Sequence, residues 1–145
     1  MFLKTIQSLV FIIACTFLSA QSPVGKWKTI DDKTGIEKSI IEIVEEDGVY
    51  RAIVSEILEE QYRGQNLLCE PCKGHKKNTP VVGLEIMWDM KKTGNNSWSG
   101  GKIMDPENGK TYGCKFSCKD QNTLKVRGFL GFAALGRNQY WHRVI

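Results

Sequence analysis

Three things are scarce in this chain of 145 residues. Histidine is the first: His75 and His142 are the only two. A paired metal site therefore lacks ligands, and a Ser-His-Asp or Cys-His arrangement would need long-range convergence with no motif to announce it. No metal and no cofactor is expected. A block of one charge is the second. The 20 lysines and arginines are interspersed with 16 carboxylates, so no basic stripe advertises a nucleic-acid surface. Lys73, His75, Lys76 and Lys77 form the one dense basic cluster, expected to be a solvated loop. The third is helical periodicity. No segment repeats apolar residues at helical spacing, and no internal repeat, low-complexity tract or second domain is visible.

The one apolar run, Ile6 to Leu18, is short for a membrane span, which needs roughly 20 residues. With Lys4 before it and Ser19-Ala20 after it, residues 1–20 are expected to be an export signal cleaved before Gln21, leaving one domain, 21–145. Removing Lys4 takes the formal charge from +4 to +3. A lipid-anchored form through Cys15 is the minority alternative, because Thr16, Phe17 and Leu18 after it are not a polar tether. The mature protein is expected to be periplasmic or secreted.

What is present is alternation. From Gly101 to Leu130 three strands are predicted, joined by two turns. The first, Asp105-Pro106-Glu107-Asn108-Gly109, combines a fixed φ with residues that tolerate φ > 0; the second is Lys119-Asp120-Gln121-Asn122. Tyr112, Cys114, Phe116 and Cys118 alternate with Gly113, Lys115 and Ser117, as in a strand with one buried face. Further strands are expected from Gly25, from Ile36 to Val44, from Val49 to Leu58, from Leu84 to Met90 (Leu84, Ile86, Trp88 and Met90 sharing a face), from Ser97 and from Arg137 to Val144. Eight antiparallel strands in sequence predict an all-β, up-and-down barrel, because closure removes both exposed edges. A β-sandwich is the second choice. A barrel of this size is filled by side chains or holds one small ligand. A long connection between the third and fourth strands, residues 59–80, is read as a lid.

That connection holds Cys69-Glu70-Pro71-Cys72. On a strand, Cys114 and Cys118 would stand about 13 Å apart at ~3.3 Å per residue. That is too far for a mutual disulfide or a shared zinc. A Cys69–Cys72 disulfide with Cys114 and Cys118 as buried thiols is expected, and a loop-to-strand bridge stays open. A redox-active C-x-x-C would need a helix N-terminus in a βαβ setting, which is absent.

Gly25-x-Trp27 on the first strand, with Arg143 on the last, resembles the closed-end motif of lipocalins and calycins, where an indole plugs one end and an arginine stacks across it. The ordered set Gly25-x-Trp27, Asp31, Cys69-x-x-Cys72-x-Gly74, Pro80-x-x-Gly83-Leu84, Gly100-Gly101-x-Ile103-x-Asp105-Pro106-x-x-Gly109-Lys110-x-Tyr112, Leu124-x-Val126-Arg127-Gly128-x-Leu130-Gly131 and Leu135-Gly136-Arg137 is similar to the domain-of-unknown-function 2147 family of exported bacterial proteins. The resemblance implies an exported lipocalin-like barrel and brings no activity, ligand or catalytic residues. The expectation is a non-enzymatic barrel that binds a small apolar or amphiphilic molecule. Trp27, Trp88, Tyr112, Phe116, Phe129 and Trp141 are candidate cavity aromatics, and Asp105 and Arg127 candidate polar contacts. For Asp105 hydrogen bonding to its own Asp-Pro turn is the preferred reading and the cavity contact the second, and Arg127 can face either way. Alternatives are an envelope interaction module with a filled barrel and, further off, a thiol-redox enzyme.

Overall fold

A computed structural model describes residues 20–132 and 134–145; the candidate export signal and Cys15 lie outside the described residues, apart from Ala20. Eight strands run in order: β1 (Gly25–Ile30), β2 (Glu37–Glu46), β3 (Val49–Ile57), β4 (Glu85–Gly94), β5 (Ser97–Met104), β6 (Thr111–Asp120), β7 (Thr123–Phe129) and β8 (Gly136–Arg143). Each pairs antiparallel with its neighbour, and β1 pairs with β8, closing the barrel. In that closing seam Trp27 lies opposite Arg143, Lys28 opposite His142 and Thr29 opposite Trp141. Among the described residues every strand has a neighbour on both sides, so long β-branched stretches such as Ser39–Val44 do not form an aggregation-prone sheet edge.

Trp27 is fully buried at one end, its indole N–H donating to the Pro23 carbonyl (2.8 Å). The Arg143 guanidinium lies 4.2 Å from the Trp27 ring centroid. It donates to the carbonyls of Gln121 (2.6 Å), Val24 (3.0 Å) and Ser22 (2.7 Å), tying together the β6–β7 turn and the segment before β1. This end is closed. Above it the barrel is filled by aromatic packing: Trp98 stacks on Phe116 at 5.1 Å and meets Tyr50 edge-on at 5.7 Å. Such offset and edge-on pairs contribute beyond the area they bury.

The simple alternation expected for β4 does not hold. Ala52 pairs with Met87 and Tyr50 with Met90, so three residues of β4 advance against two of β3. The extra residue is absorbed at Asp89, whose φ is +56°. A second shift lies next to it, where Ala52 pairs with Met87 and Ile53 with Glu85, and the two together leave Ile86, Met87 and Met90 buried while Trp88 turns outward, the Lys76 ammonium 3.9 Å from its ring centroid. Gly101 on β5 makes the bulge possible, since a Cβ there would overlap the Trp88 carbonyl oxygen and the Met90 sulfur.

The lower half of the barrel is thus a packed core, and the four connections at the other end surround an opening.

Candidate functional site

The opening leads into a cavity of about 790 Å³. It exists because the inward positions of the upper half are small or short. Thr29 on β1, Ser39 on β2, Gly128 on β7 and Gln139 on β8 line it where the lower half has Trp27, Trp98 and Phe116. Its floor is apolar, formed by Ile41, Val54, Ile86, Val126 and Trp141. Ile57, Ile103, Met104 and Tyr112 continue the wall upward.

The rim is polar and interlocked. Lys38 pairs with Glu107 of the β5–β6 turn and with Glu59 (3.6 Å) at the start of the long connection. Burial works against its ammonium, but the hydrogen bond it donates to the Glu107 carboxylate, with the charges of Glu107 and Glu59, holds the pKa above the ordinary lysine value. Arg137 on β8 forms a two-pronged pair with Asp32 of the β1–β2 turn, one N–O distance being 2.7 Å. That hydrogen bond keeps the Asp32 carboxyl below its usual range. Backbone and side-chain bonds from Thr34, with the Lys33 amide, do the same for Asp31. Asp105 is spent on its turn: its carboxylate accepts from the Glu107 amide (2.9 Å) and from Asn108 Nδ2 (3.2 Å).

Residues 59–80 lie across one side of this mouth. Cys69 and Cys72 form a disulfide, with both sulfurs buried. The Cys69 amide donates to the Thr79 carbonyl (2.8 Å) and the Asn78 amide to the Cys69 carbonyl (2.9 Å), a miniature ladder completed by the Leu68–Pro80 bridge. Cys72 packs on Met104, and Pro71 lies against Gly109, where a Cβ would overlap the Pro71 carbonyl. Gly109 has φ of +71°, so the turn needs a glycine twice over, for conformation and for contact. Leu67, Leu68 and Pro71 add an apolar patch to the cavity wall.

Of the residues singled out from sequence, Asp105, Tyr112 and Trp141 come together around the cavity. Trp27 and Phe116 sit below it, as the plug and as core. Trp88, Arg127 and Phe129 lie away from it. Trp88 is displaced outward by the bulge. Arg127 faces outward, opposite Lys115, and its guanidinium donates to Asn138 Oδ1 (2.9 Å). Phe129, on the same outer face, lies over the bare backbone of Gly113. Arg127 and Phe129 do share a face, and strand phase set from Leu124 and Val126 puts it outside. Sequence reasoning missed Ile41, Val54 and Val126 as floor residues because a buried valine or isoleucine looks the same beside a core and beside a cavity. Lys38 and Arg137 were missed because their partners lie in turns far along the chain. Cys114 and Cys118 are free, buried thiols on one face; burial pushes Cys114 up to about 12 and raises Cys118. Among the described residues no group of side chains could hold a metal ion. No helix among them is long and apolar enough to cross a membrane.

The family model for DUF2147, described as an uncharacterized protein conserved in bacteria, matches residues 25–143, from the glycine before the plug to the arginine over it. The chain belongs to the DUF2147 family. No curated protein matches it. This family member is similar in fold to the solved structure of protein HP1028 from the human pathogen Helicobacter pylori, described as belonging to the lipocalin family. The two are 19% identical, with a TM-score of 0.75, over 86% of this chain and 84% of that one. At that identity the likeness concerns the fold alone, a lipocalin-like barrel; in this chain the barrel has eight strands and a disulfide in the connection between β3 and β4.

Proposed function

We propose that this DUF2147 protein is an exported, non-enzymatic carrier in the bacterial envelope, holding one small apolar or amphiphilic molecule in the upper half of its barrel. One observation carries the reading: a cavity of about 790 Å³ with an apolar floor, opening through a polar rim. Small-molecule sites are typically of that size, mostly apolar, with a few polar groups to fix orientation. The two cations that line the cavity, Lys38 and Arg137, already pair with carboxylates, so a neutral or hydroxylated head group fits it better than an anionic one. Burial of both sulfurs of the Cys69–Cys72 bridge speaks against thiol exchange with a protein substrate.

Gly128 provides the test. It lines the cavity, and a Cβ there would approach nothing closer than 3.6 Å (Ile103 and Tyr112), so a side chain at 128 would extend into the space without breaking the strand. The wild type should bind an apolar fluorescent dye with a change in Trp141 emission and should carry a co-purified small molecule in native mass spectrometry. Gly128→Leu should fold with the same circular dichroism and lose dye binding at least about tenfold, the scale of ~1.4 kcal/mol. Equal binding by wild type and Gly128→Leu would refute a ligand in this cavity.

A second reading is favoured by one feature of the mouth. Leu130, Phe132 and Leu135 in the β7–β8 connection are 59%, 62% and 62% exposed. Exposed apolar side chains on a connection are what a protein-interaction module would present. Replacing all three by serine should then abolish a defined complex while leaving dye binding intact.

A further inference from the structure

Above its floor, the cavity wall is polar on one side only. Strands β8, β1 and β2 are neighbours across the closing seam, and Gln139, Thr29 and Ser39 line the space from them. Register gathers these side chains: Trp141 on β8 lies opposite Thr29, and Thr29 opposite Ser39. From the level of Trp141 up to Arg137 at the rim, this wall runs about 13 Å along β8. Its borders are sharp. Ser39 pairs across to Ile57 on β3 and Gln139 to Val126 on β7, so the next strand on either side is already apolar. The far side is hydrocarbon, with Val54, Ile86, Ile103 and Met104 from β3, β4 and β5. Tyr112 on β6 adds a hydroxyl only near the mouth, where Asn108 Nδ2 of the β5–β6 turn lies 3.5 Å from it.

The three neutral groups on the polar side keep hydrogen-bonding capacity. Thr29 Oγ1 stands 2.8 Å from Ser39 Oγ and 3.4 Å from the Ser39 carbonyl oxygen. However the hydroxyl protons turn, each side-chain oxygen keeps a lone pair. Gln139 Oε1 accepts a long bond from Trp141 Nε1 (3.4 Å), and its NH2 group has no partner among the described residues. Acceptors and donors thus stand in one row, which suits a ligand hydroxyl because a hydroxyl is both. An alkyl chain laid against the row would take these groups out of water and leave them unpaired, a cost the opposite wall does not impose. A rigid ring system holds its hydroxyls on one side before it binds, whereas a flexible chain must be ordered to do so.

We infer that the cavity selects a ligand divided lengthwise: a rigid, ring-based molecule with hydroxyl groups along one face, set against β8–β1–β2, and hydrocarbon along the other, set against β3–β5. The inference rests on the carrier reading and narrows its ligand class. A head-and-tail amphiphile, polar only at the mouth, leaves Thr29, Ser39 and Gln139 without partners.

Two neutral probes separate these classes. Methyl deoxycholate carries its hydroxyls on one face and its angular methyls on the other; monolauroylglycerol carries its hydroxyls on a head group at the end of an alkyl chain. Full-length protein, its cavity filled with an apolar dye, is titrated with each probe, and affinities are read from dye displacement. Wild type should prefer methyl deoxycholate. In Ser39→Ala with Gln139→Leu, the ratio of the two affinities should fall about tenfold in favour of monolauroylglycerol. In the wild type, NMR contacts should run from the angular methyls to Val54, Ile86 and Ile103, and from the hydroxylated face to Thr29 and Gln139. That contact map does not depend on how well a variant folds. Both probes displacing the dye with an unmoved ratio, or the angular methyls facing β8–β1–β2, would overturn the inference and leave the carrier reading standing. Displacement by neither probe would overturn the inference as well. Binding of both probes by Gly128→Leu as tightly as by wild type would refute the cavity itself and this inference with it.

Discussion

Replacing Cys69 and Cys72 together by alanine should loosen the mouth without unfolding the barrel, and the size of that effect follows from the ring the disulfide closes. The bridge spans only the four residues 69–72. Constraining so short a loop stabilises by about 2 kcal/mol on the chain-entropy estimate, or a roughly 30-fold change in an equilibrium constant. That change should fall on docking of residues 59–80, because the strands flanking the segment, β3 and β4, hold their own partners on both sides. Hydrogen exchange provides the assay. The amides of Cys69, Asn78 and Val81 bond within the segment, to Thr79, Cys69 and Leu67, and should exchange about 30-fold faster in the variant. Strand amides in β6 and β7, remote from the segment, should keep their protection. A dye in the cavity should dissociate faster as well, since Leu67, Leu68 and Pro71 form part of its wall. Uniform loss of protection over the whole barrel would refute the reasoning, as would unchanged exchange at those three amides. Either would mean that the connection and the barrel unfold as one unit, or that the ladder holds without the sulfurs.

Arg143→Leu should lower stability by about 2–4 kcal/mol in chemical denaturation, from the lost stacking on Trp27 and three lost hydrogen bonds to carbonyls, some of which water can replace. Arg143→Lys should recover less than half of it, having no fork to reach all three carbonyls. Gly101→Ala should cost about 1–3 kcal/mol or prevent folding, because its methyl would overlap the Trp88 carbonyl, whereas Gly128→Ala should stay within about 0.5 kcal/mol of wild type. Burial raises the Cys114 thiol above its unfolded value of 9.0 to about 12, so the neutral thiol is the form that favours folding. Its contribution should be complete below pH 9 and be lost progressively as pH rises toward about 12, a slope that Cys114→Ala should flatten in urea titrations at pH 8, 9.5 and 10.5.

The barrel was legible in the sequence because its evidence is local. Turn residues such as Asp105-Pro106 and Asn108-Gly109, and alternation such as that from Tyr112 to Cys118, act between neighbours in the chain, and eight such strands have few ways to avoid exposed edges other than closing. The plug was legible for a related reason: glycine, tryptophan and arginine at the two ends of the chain have few competing roles. The candidate site was only partly legible. Tyr112 and Trp141 followed from strand phase, but two register shifts, one on each side of Trp88, turned it outward, an effect visible only when β4 is laid against β3.

What the chain determined by itself, then, is which residues turn and which alternate, hence a closed sheet with an indole at its base. Only the tertiary structure decided that this sheet is filled below and hollow above. Filling depends on the summed volume of side chains from eight strands meeting at one level. Trp98, Phe116 and Tyr50 meet at one level, while Thr29, Ser39, Gly128 and Gln139 meet at another, and no single strand records which level its neighbours will reach.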